Sequence, residues 1–245
     1  IVLSTDKIHS NAWTDSLNDL TTVFTASGGG DGGSLVSSPS SSGQFFFNIF
    51  KTRAAAESTT GSVEFSLAYG HKKGSGSKDF SPGVGGSGFS ATKSVYNQYR
   101  QLVFGDETQE FTFNGVTPDD IYVINLERAR IKQGLKPGSL NLTLASGSGG
   151  DAGLLHLTDD SVTTTGSATL TNLGRQFNLV SGSSGVMLGN TLSQTTSGSY
   201  GFVYPDAGII ILNPDNFGTG SLKPFRNDGT SNTDRNPEKL YHAIS

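Results

Sequence analysis

Cysteine is absent from the chain of 245 residues, which excludes disulfide bonds, thiolate metal sites and thiol nucleophiles. Stability must therefore come from packing, strand pairing or assembly. Charged residues are also scarce, at 16% of the chain, and acidic residues outnumber basic ones by 21 to 17. A protein that wraps a phosphate backbone needs a clustered excess of Lys and Arg. We therefore expect no nucleic-acid partner.

Long apolar runs are missing as well. A membrane-spanning helix needs about 20 consecutive apolar residues, whereas the longest candidate, residues 207–212, has the length of a buried strand. The sequence thus predicts no membrane-spanning segment. What the chain has in plenty is 33 Ser, 25 Thr and 33 Gly, together more than a third of its residues. Ser and Thr favour turns and strands because their side chains compete with the backbone hydrogen bonds of a helix.

Strand patterns recur along most of the chain. Residues 62–69 alternate between polar and apolar side chains, as a half-buried strand does. Residues 121–126 form an apolar run, and residues 200–204 and 208–212 bracket a Pro205-Asp206 turn, which predicts a hairpin. Further strands are predicted at residues 45–50, 111–113, 140–144, 154–157, 161–165, 168–170, 176–180 and 185–188.

One amphipathic helix is predicted near residues 90–104. Ser90 is its candidate N-cap, and Val95, Tyr99, Leu102 and Val103 fall at the spacing of one buried face. We therefore expect a mainly β protein, with α+β as the alternative class. Its short antiparallel strands would be joined by long Gly/Ser-rich loops and covered by one packed helix.

The composition divides the chain into two parts. Residues 1–43 form an N-terminal segment whose Gly- and Ser-rich stretch predicts a flexible arm, and residues 44–245 form a β-rich structural domain. A split of that domain near residues 146–153 is the alternative. Because the last residues carry no terminating signal, we expect the polypeptide to continue beyond residue 245.

Catalytic motifs are not found in the sequence. The Gly-rich stretch before Lys93-Ser94 lacks the glycines of a phosphate-binding loop, and no Gly-x-Ser-x-Gly elbow is present. The four histidines never occur at the i, i+4 spacing of a helical zinc site. We therefore expect no enzyme activity, no cofactor and no metal.

Paired carboxylates and exposed aromatics leave two alternatives open. Asp119-Asp120 and Asp159-Asp160 would suit a glycoside hydrolase if two carboxylates faced each other across a cleft. The simpler interpretation is that both pairs cap backbone amides in turns. A carbohydrate-binding or adhesin-like β module would instead need exposed aromatics that stack on sugar faces. Candidates for that role are Trp13, Tyr69 and Tyr241.

A basic cluster follows the apolar run at residues 121–126. If that strand continues, Arg128, Arg130 and Lys132 would project from one face, because alternate residues of a strand share a side. Such a stripe suits an acidic partner surface. Either a subunit contact or a solvated face accounts for these three residues.

Several sequence blocks resemble virion structural proteins of contractile-tailed bacteriophages, notably those that infect cyanobacteria. The blocks are residues 96–102 (YNQYRQL), 111–115 (FTFNG), 120–130 (DIYVINLERAR), 135–138 (LKPG) and 200–212 (YGFVYPDAGIIIL). The resemblance implies a non-enzymatic structural subunit in the tail or baseplate of the virion. Its partners would be other virion structural proteins, in a homo-oligomer or another symmetric assembly.

Overall fold

The structure is a computed structural model that describes residues 20–21, 46–51, 62–74, 91–145, 154–162, 168–188, 199–217, 240 and 244. The predicted N-cap Ser90 lies outside these residues, as does the predicted Gly- and Ser-rich arm; of the N-terminal segment 1–43 only residues 20–21 are described. The elements in chain order are β1 (Leu20–Thr21), β2 (Phe46–Lys51), β3 (Ser62–His71), α1 (Ala91–Phe104), β4 (Asp120–Leu126), α2 (Arg128–Ile131), β5 (Leu142–Ala145), β6 (Leu154–Asp159), β7 (Thr169–Thr171), β8 (Gly174–Ser183), β9 (Val186–Met187), β10 (Gly201–Tyr204), β11 (Ile209–Leu212) and a 3-10 helix (Pro214–Phe217).

The strands form one antiparallel sheet. Its order is β1-β2-β3-β4-β11-β10-β8-β6-β5, and β7 and β9 each pair with β8 outside this path. The mainly β prediction is therefore confirmed, and so is the hairpin at Pro205-Asp206, where Tyr204 pairs with Ile209. The centre of the sheet is formed by β4, which pairs with β3 on one side and β11 on the other.

Two predicted strands are wrong in the described part of the chain. The predicted strand at residues 111–113 contributes only an isolated bridge, between Phe113 and Val116. The strand does not extend because the next two residues, Asn114 and Gly115, reverse the chain direction. Both have positive φ, 49° and 88°. Ser161 and Val162, predicted to begin a strand, lie in a turn instead.

Each face of the central strands is covered by its own core. Tyr122, Ile124 and Leu126 of β4 point into a large core that also includes buried residues of β3, β5, β6, β8, β10 and β11. Ile121 and Val123 point to the opposite face, where α1 and the aromatic residues 111 and 113 form a helix-side core. Burial of both faces explains why β10 and β11 are apolar at nearly every position.

The predicted helix is confirmed as α1, with a different buried face. Tyr96, Tyr99 and Val103 are buried at spacings of three and four residues, whereas Leu102 is 41% exposed. The helix lies very close to β3 at Gly70. An ideal Cβ at that position would be 2.7 Å from the backbone nitrogen of Tyr96.

Candidate functional site

The predicted basic stripe does not form, because β4 ends at Leu126 and the next residues make a single helical turn. Since Leu126 points into the large core, a longer strand would have directed Arg128, Arg130 and Lys132 towards that same buried face. Burying three charged side chains would cost free energy. The helical turn avoids that cost and brings Ile131 into the large core instead.

The three basic residues therefore have separate surroundings. Arg130 donates from Nη2 to Oε1 of Glu64 at 2.5 Å and forms an ion pair with it. Arg128 is exposed and donates from Nη1 to the backbone oxygen of Asp206 at 3.0 Å. Lys132 is exposed at the end of the turn, with a positive φ of 47°. Their role in a subunit contact stays a prediction.

The first carboxylate pair is engaged in contacts with β3 and the turn that follows it. Asp119 forms ion pairs with Lys72 at 2.7 Å and with Lys73 at 3.6 Å. The hydrogen bond from Lys72 is the main cause that lowers the pKa of Asp119. Asp120 accepts a hydrogen bond from the Tyr69 hydroxyl at 3.1 Å. Both side chains therefore tie β3 to the start of β4.

The second carboxylate pair is buried and holds neighbouring loops. Asp159 accepts hydrogen bonds at Oδ1 from the backbone amides of Gly138, at 2.8 Å, and Ser161, at 3.3 Å. Asp160 accepts from both the backbone and the side-chain nitrogen of Asn178, each at 2.9 Å. Burial raises the pKa of Asp160 despite these bonds. Asp159 therefore caps backbone amides, as the simpler interpretation predicts, whereas Asp160 binds a residue within β8.

Of the three aromatic residues proposed for sugar stacking, one lies in the core and two lie outside the described residues. Tyr69 is buried, and burial is also the main cause that raises its pKa. It therefore offers no exposed face to a sugar. Trp13 and Tyr241 lie outside the described residues.

A polar groove opens at the C-terminal end of α1. Its volume is about 750 Å³. Its lining comes from the end of α1, the segment 109–117, the β7–β8 hairpin and Phe202 of β10. The lining residues are Val103, Phe104, Gln109, Glu110, Thr112, Thr117, Thr169, Leu170, Thr171, Asn172, Gln176 and Phe202.

The walls of this groove are fixed by hydrogen bonds. The backbone amide of Asn172 donates to the oxygen of Val103 at 3.2 Å, which attaches the hairpin turn to the end of α1. On the opposite wall, the hydroxyls of Thr112 and Thr117 are 2.9 Å apart and hydrogen-bonded across the tight turn. Hydrogen bonds therefore hold both of these segments of the lining in place.

A second surface feature is an apolar patch beside the β8–β9 turn. We call Val162, Val186 and Leu188 the hairpin patch; they are 65%, 71% and 69% exposed. Val162 lies beside this turn, since an ideal Cβ at Gly185 would be 2.8 Å from its Cγ2. Exposed apolar residues around one turn form a candidate interaction surface.

Within the described residues, no cluster of three or more His, Asp or Glu side chains has the proximity needed to hold a metal ion. His71 accepts at Nδ1 from the backbone amide of Lys73 at 3.0 Å, and burial lowers its pKa. His156 lies next to Thr143, with Nδ1 and the hydroxyl 3.1 Å apart.

No family model, curated protein or solved structure matches the chain. The resemblance to phage tail and baseplate proteins therefore stays a prediction based on the sequence blocks given above. Among the described helices, none is both long enough and apolar enough to cross a membrane.

Proposed function

We propose that this protein is a non-enzymatic structural subunit of a bacteriophage particle, located in the tail or baseplate. It acts through contacts with other virion subunits, in a homo-oligomer or another symmetric assembly. The observation that carries the proposal is the hairpin patch, an exposed apolar surface at the paired turn between β8 and β9. The sequence resemblance supplies the biological setting.

The hairpin patch has the properties of a contact surface. Val186 belongs to β9 and is paired with Ser183 of β8, so its position is set by the sheet. Leu188 continues this pairing by donating its backbone amide to the oxygen of Ser181 at 2.9 Å. Backbone that is already ordered loses little conformational entropy when a partner covers it. Covering the patch also removes apolar surface from water, worth about 25 cal/mol per Å².

The contacts made by the acidic residues also support a structural role. A hydrolase needs two carboxylates that reach the substrate across a cleft. Here Asp119 and Asp120 bind side chains of β3 and its turn, and Asp159 and Asp160 bind backbone amides and Asn178. Their hydrogen-bonding capacity serves the fold.

The test compares assembly of the natural chain with that of a double variant, Val186→Ser with Leu188→Ser. Light scattering would measure the mass of each chain alone and after mixing with the virion structural proteins encoded in the same genome. We expect the natural chain to form a ring or a defined complex and the double variant to lose at least about tenfold in affinity, since hydrophobic contacts of this size are worth 1–3 kcal/mol.

The matched control is Leu102→Ser, which removes an exposed apolar side chain from α1, away from the hairpin patch. It should assemble as the natural chain does. The proposal fails if the natural chain stays a monomer that ignores those proteins, or if the double variant assembles normally while keeping its thermal stability.

A further inference from the structure

We propose that the groove at the end of α1 binds a neutral oligosaccharide. This inference is independent of the assembly role, because the groove and the hairpin patch use different residues. It arises from the chemistry of the groove lining, which combines uncharged hydrogen-bonding groups with an aromatic floor.

The polar lining suits a ligand rich in hydroxyl groups. Four threonines and three carboxamide side chains line the groove, and hydroxyl and carboxamide groups both donate and accept hydrogen bonds. Sugar hydroxyls have the same dual character, so neighbouring hydroxyls on one ring can be satisfied together. The seven residues are Gln109, Thr112, Thr117, Thr169, Thr171, Asn172 and Gln176. Thr112 and Thr117 bond each other, and the Thr171 hydroxyl bonds Gly174 and Leu173, so Thr169 and the carboxamides are the main groups for a ligand.

The charge of the groove argues for a neutral ligand. Among the described residues of the lining, Glu110 is the one ionisable residue, and its carboxylate lies 3.4 Å from Nζ of Lys72. None of these described lining residues is a cation that would bind an acidic sugar or a phosphate.

Gln176 is the best-oriented donor in the groove. Its Oε1 accepts a hydrogen bond from the buried hydroxyl of Tyr204 at 3.0 Å, which fixes the orientation of the carboxamide. The amide NH₂ group is then directed away from Tyr204 and is available to a ligand. Gln176 is also paired across the strands with Thr169, so the two side chains share one face of the β7–β8 hairpin.

The floor supplies an apolar surface for the C–H face of a sugar ring. Phe104 is half-buried, and its ring centroid lies 5.0 Å from that of Phe111, which holds it in place. Phe202 also lines the groove but is buried, stacked 4.6 Å from Phe113, so Phe104 supplies the exposed aromatic face. An aromatic surface surrounded by a few fixed polar groups is the usual composition of a small-molecule site.

The size of the groove indicates more than one sugar unit. Its volume of about 750 Å³ lies within the usual range of ligand sites, about 300–1,000 Å³.

The experiment titrates the ¹⁵N-labelled full chain with linear oligosaccharides of glucose, galactose, mannose and N-acetylglucosamine, and with oligogalacturonate as the acidic counterpart. Amide chemical shifts of Thr169 and Gln176 report binding at the groove. We expect at least one neutral oligosaccharide to shift these amides at millimolar concentration or below, and oligogalacturonate to leave them unchanged.

Two variants assign the binding to the groove. Gln176→Glu keeps an acceptor for Tyr204 and removes the NH₂ donor, while Thr169→Val removes an exposed hydroxyl with little change in shape. Each should weaken binding about three- to tenfold, the loss expected for one neutral hydrogen bond. Gln98→Glu makes the same chemical change on an exposed position of α1 and should leave the affinity unchanged.

The inference is overturned if no neutral oligosaccharide shifts the groove amides, if only the acidic one does, or if both groove variants bind as tightly as the natural chain. Failure of the assembly proposal is a separate result, since Val186→Ser with Leu188→Ser leaves the groove lining intact.

Discussion

At the scale of single residues, acidic side chains hold the loops of this sheet in place. Asp206 in the β10–β11 turn accepts two kinds of hydrogen bond from Arg175 at the start of β8, from its backbone amide at 2.8 Å and from its guanidinium at 2.6 Å. Arg128 donates a hydrogen bond to the backbone oxygen of the same residue, Asp206. A bidentate contact of this kind fixes geometry as well as adding energy. It joins two hairpins that are separate in sequence.

This contact predicts a dependence of stability on pH. Hydrogen bonds from Arg175 lower the pKa of Asp206 in the folded protein. The contribution of the pair is therefore complete above the unfolded pKa, about 3.9, and is lost as pH falls through the lower folded value. Because both side chains are partly exposed, we expect Arg175→Met to cost only about 0.5–1 kcal/mol at pH 7. Urea unfolding at pH 7 and at low pH measures the difference.

The stability gap between the Arg175→Met variant and the natural chain should narrow as the solution is acidified. Lys93→Met is the control, since Lys93 on α1 is exposed and forms no ion pair within the described residues. A gap that stayed constant down to the acid limit would show that Arg175 acts through packing of its stem and not through Asp206.

At the scale of secondary-structure elements, α1 depends on one close approach to β3. Gly70 leaves room for the backbone of Tyr96, whose side chain is fully buried in the helix-side core. Its role is steric, because a Cβ at that position would also lie 2.9 Å from Cα of Tyr96. Backbone atoms cannot rotate away as the end of a side chain can, so the helix itself would have to shift.

Gly70→Ala should therefore destabilise the protein by about 1–3 kcal/mol, the usual cost of overpacking. Hydrogen exchange should show faster exchange of the α1 amides in this variant. Gly115→Ala provides the contrast, because nothing lies within 4 Å of its Cβ and its cost comes from a φ of +88°. It should cost about 1–2 kcal/mol and leave exchange in α1 unchanged. Equal exchange of α1 in both variants would contradict the steric role of Gly70.

The elements that the sequence predicts well are those whose periodicity is produced by burial. In β3 and β4, alternate residues face two different cores, and α1 has one buried stripe, so simple pattern rules identify them. Residues 111–113 fail because the Asn114-Gly115 pair outweighs their strand propensity. The basic stripe fails because a continued strand would have directed these residues into the core that Leu126 already faces.

At the scale of the whole molecule, neither surface site has a local signal in the sequence. The groove combines residues from positions 103–117, 169–176 and 202, which the strand order brings together. The hairpin patch combines Val162 with Val186 and Leu188 in the same way. Isolated apolar residues are normal on any surface, so their significance depends on a topology that no single segment encodes.

The strands before and after residues 146–153 belong to one sheet, which is relevant to the predicted split there. The strands on either side of that segment, β5 and β6, pair directly with each other, and Leu144 is opposite Leu155. The large core includes Leu67 from β3 and Leu179 from β8, and both are fully buried. Residues that precede and follow the segment therefore share one set of packing contacts, which favours cooperative unfolding.

We expect a single unfolding transition that Leu67→Ala and Leu179→Ala both shift downwards. Each variant should lose about 2–5 kcal/mol, because each leaves a cavity of similar size in the same core. Calorimetry measures this directly, and the calorimetric and van't Hoff enthalpies should agree for all three chains. If the region from residue 154 onwards were a separate unit, Leu179→Ala would lower one transition and leave a second unchanged, while Leu67→Ala would do the reverse. That outcome would establish two domains in place of one continuous sheet.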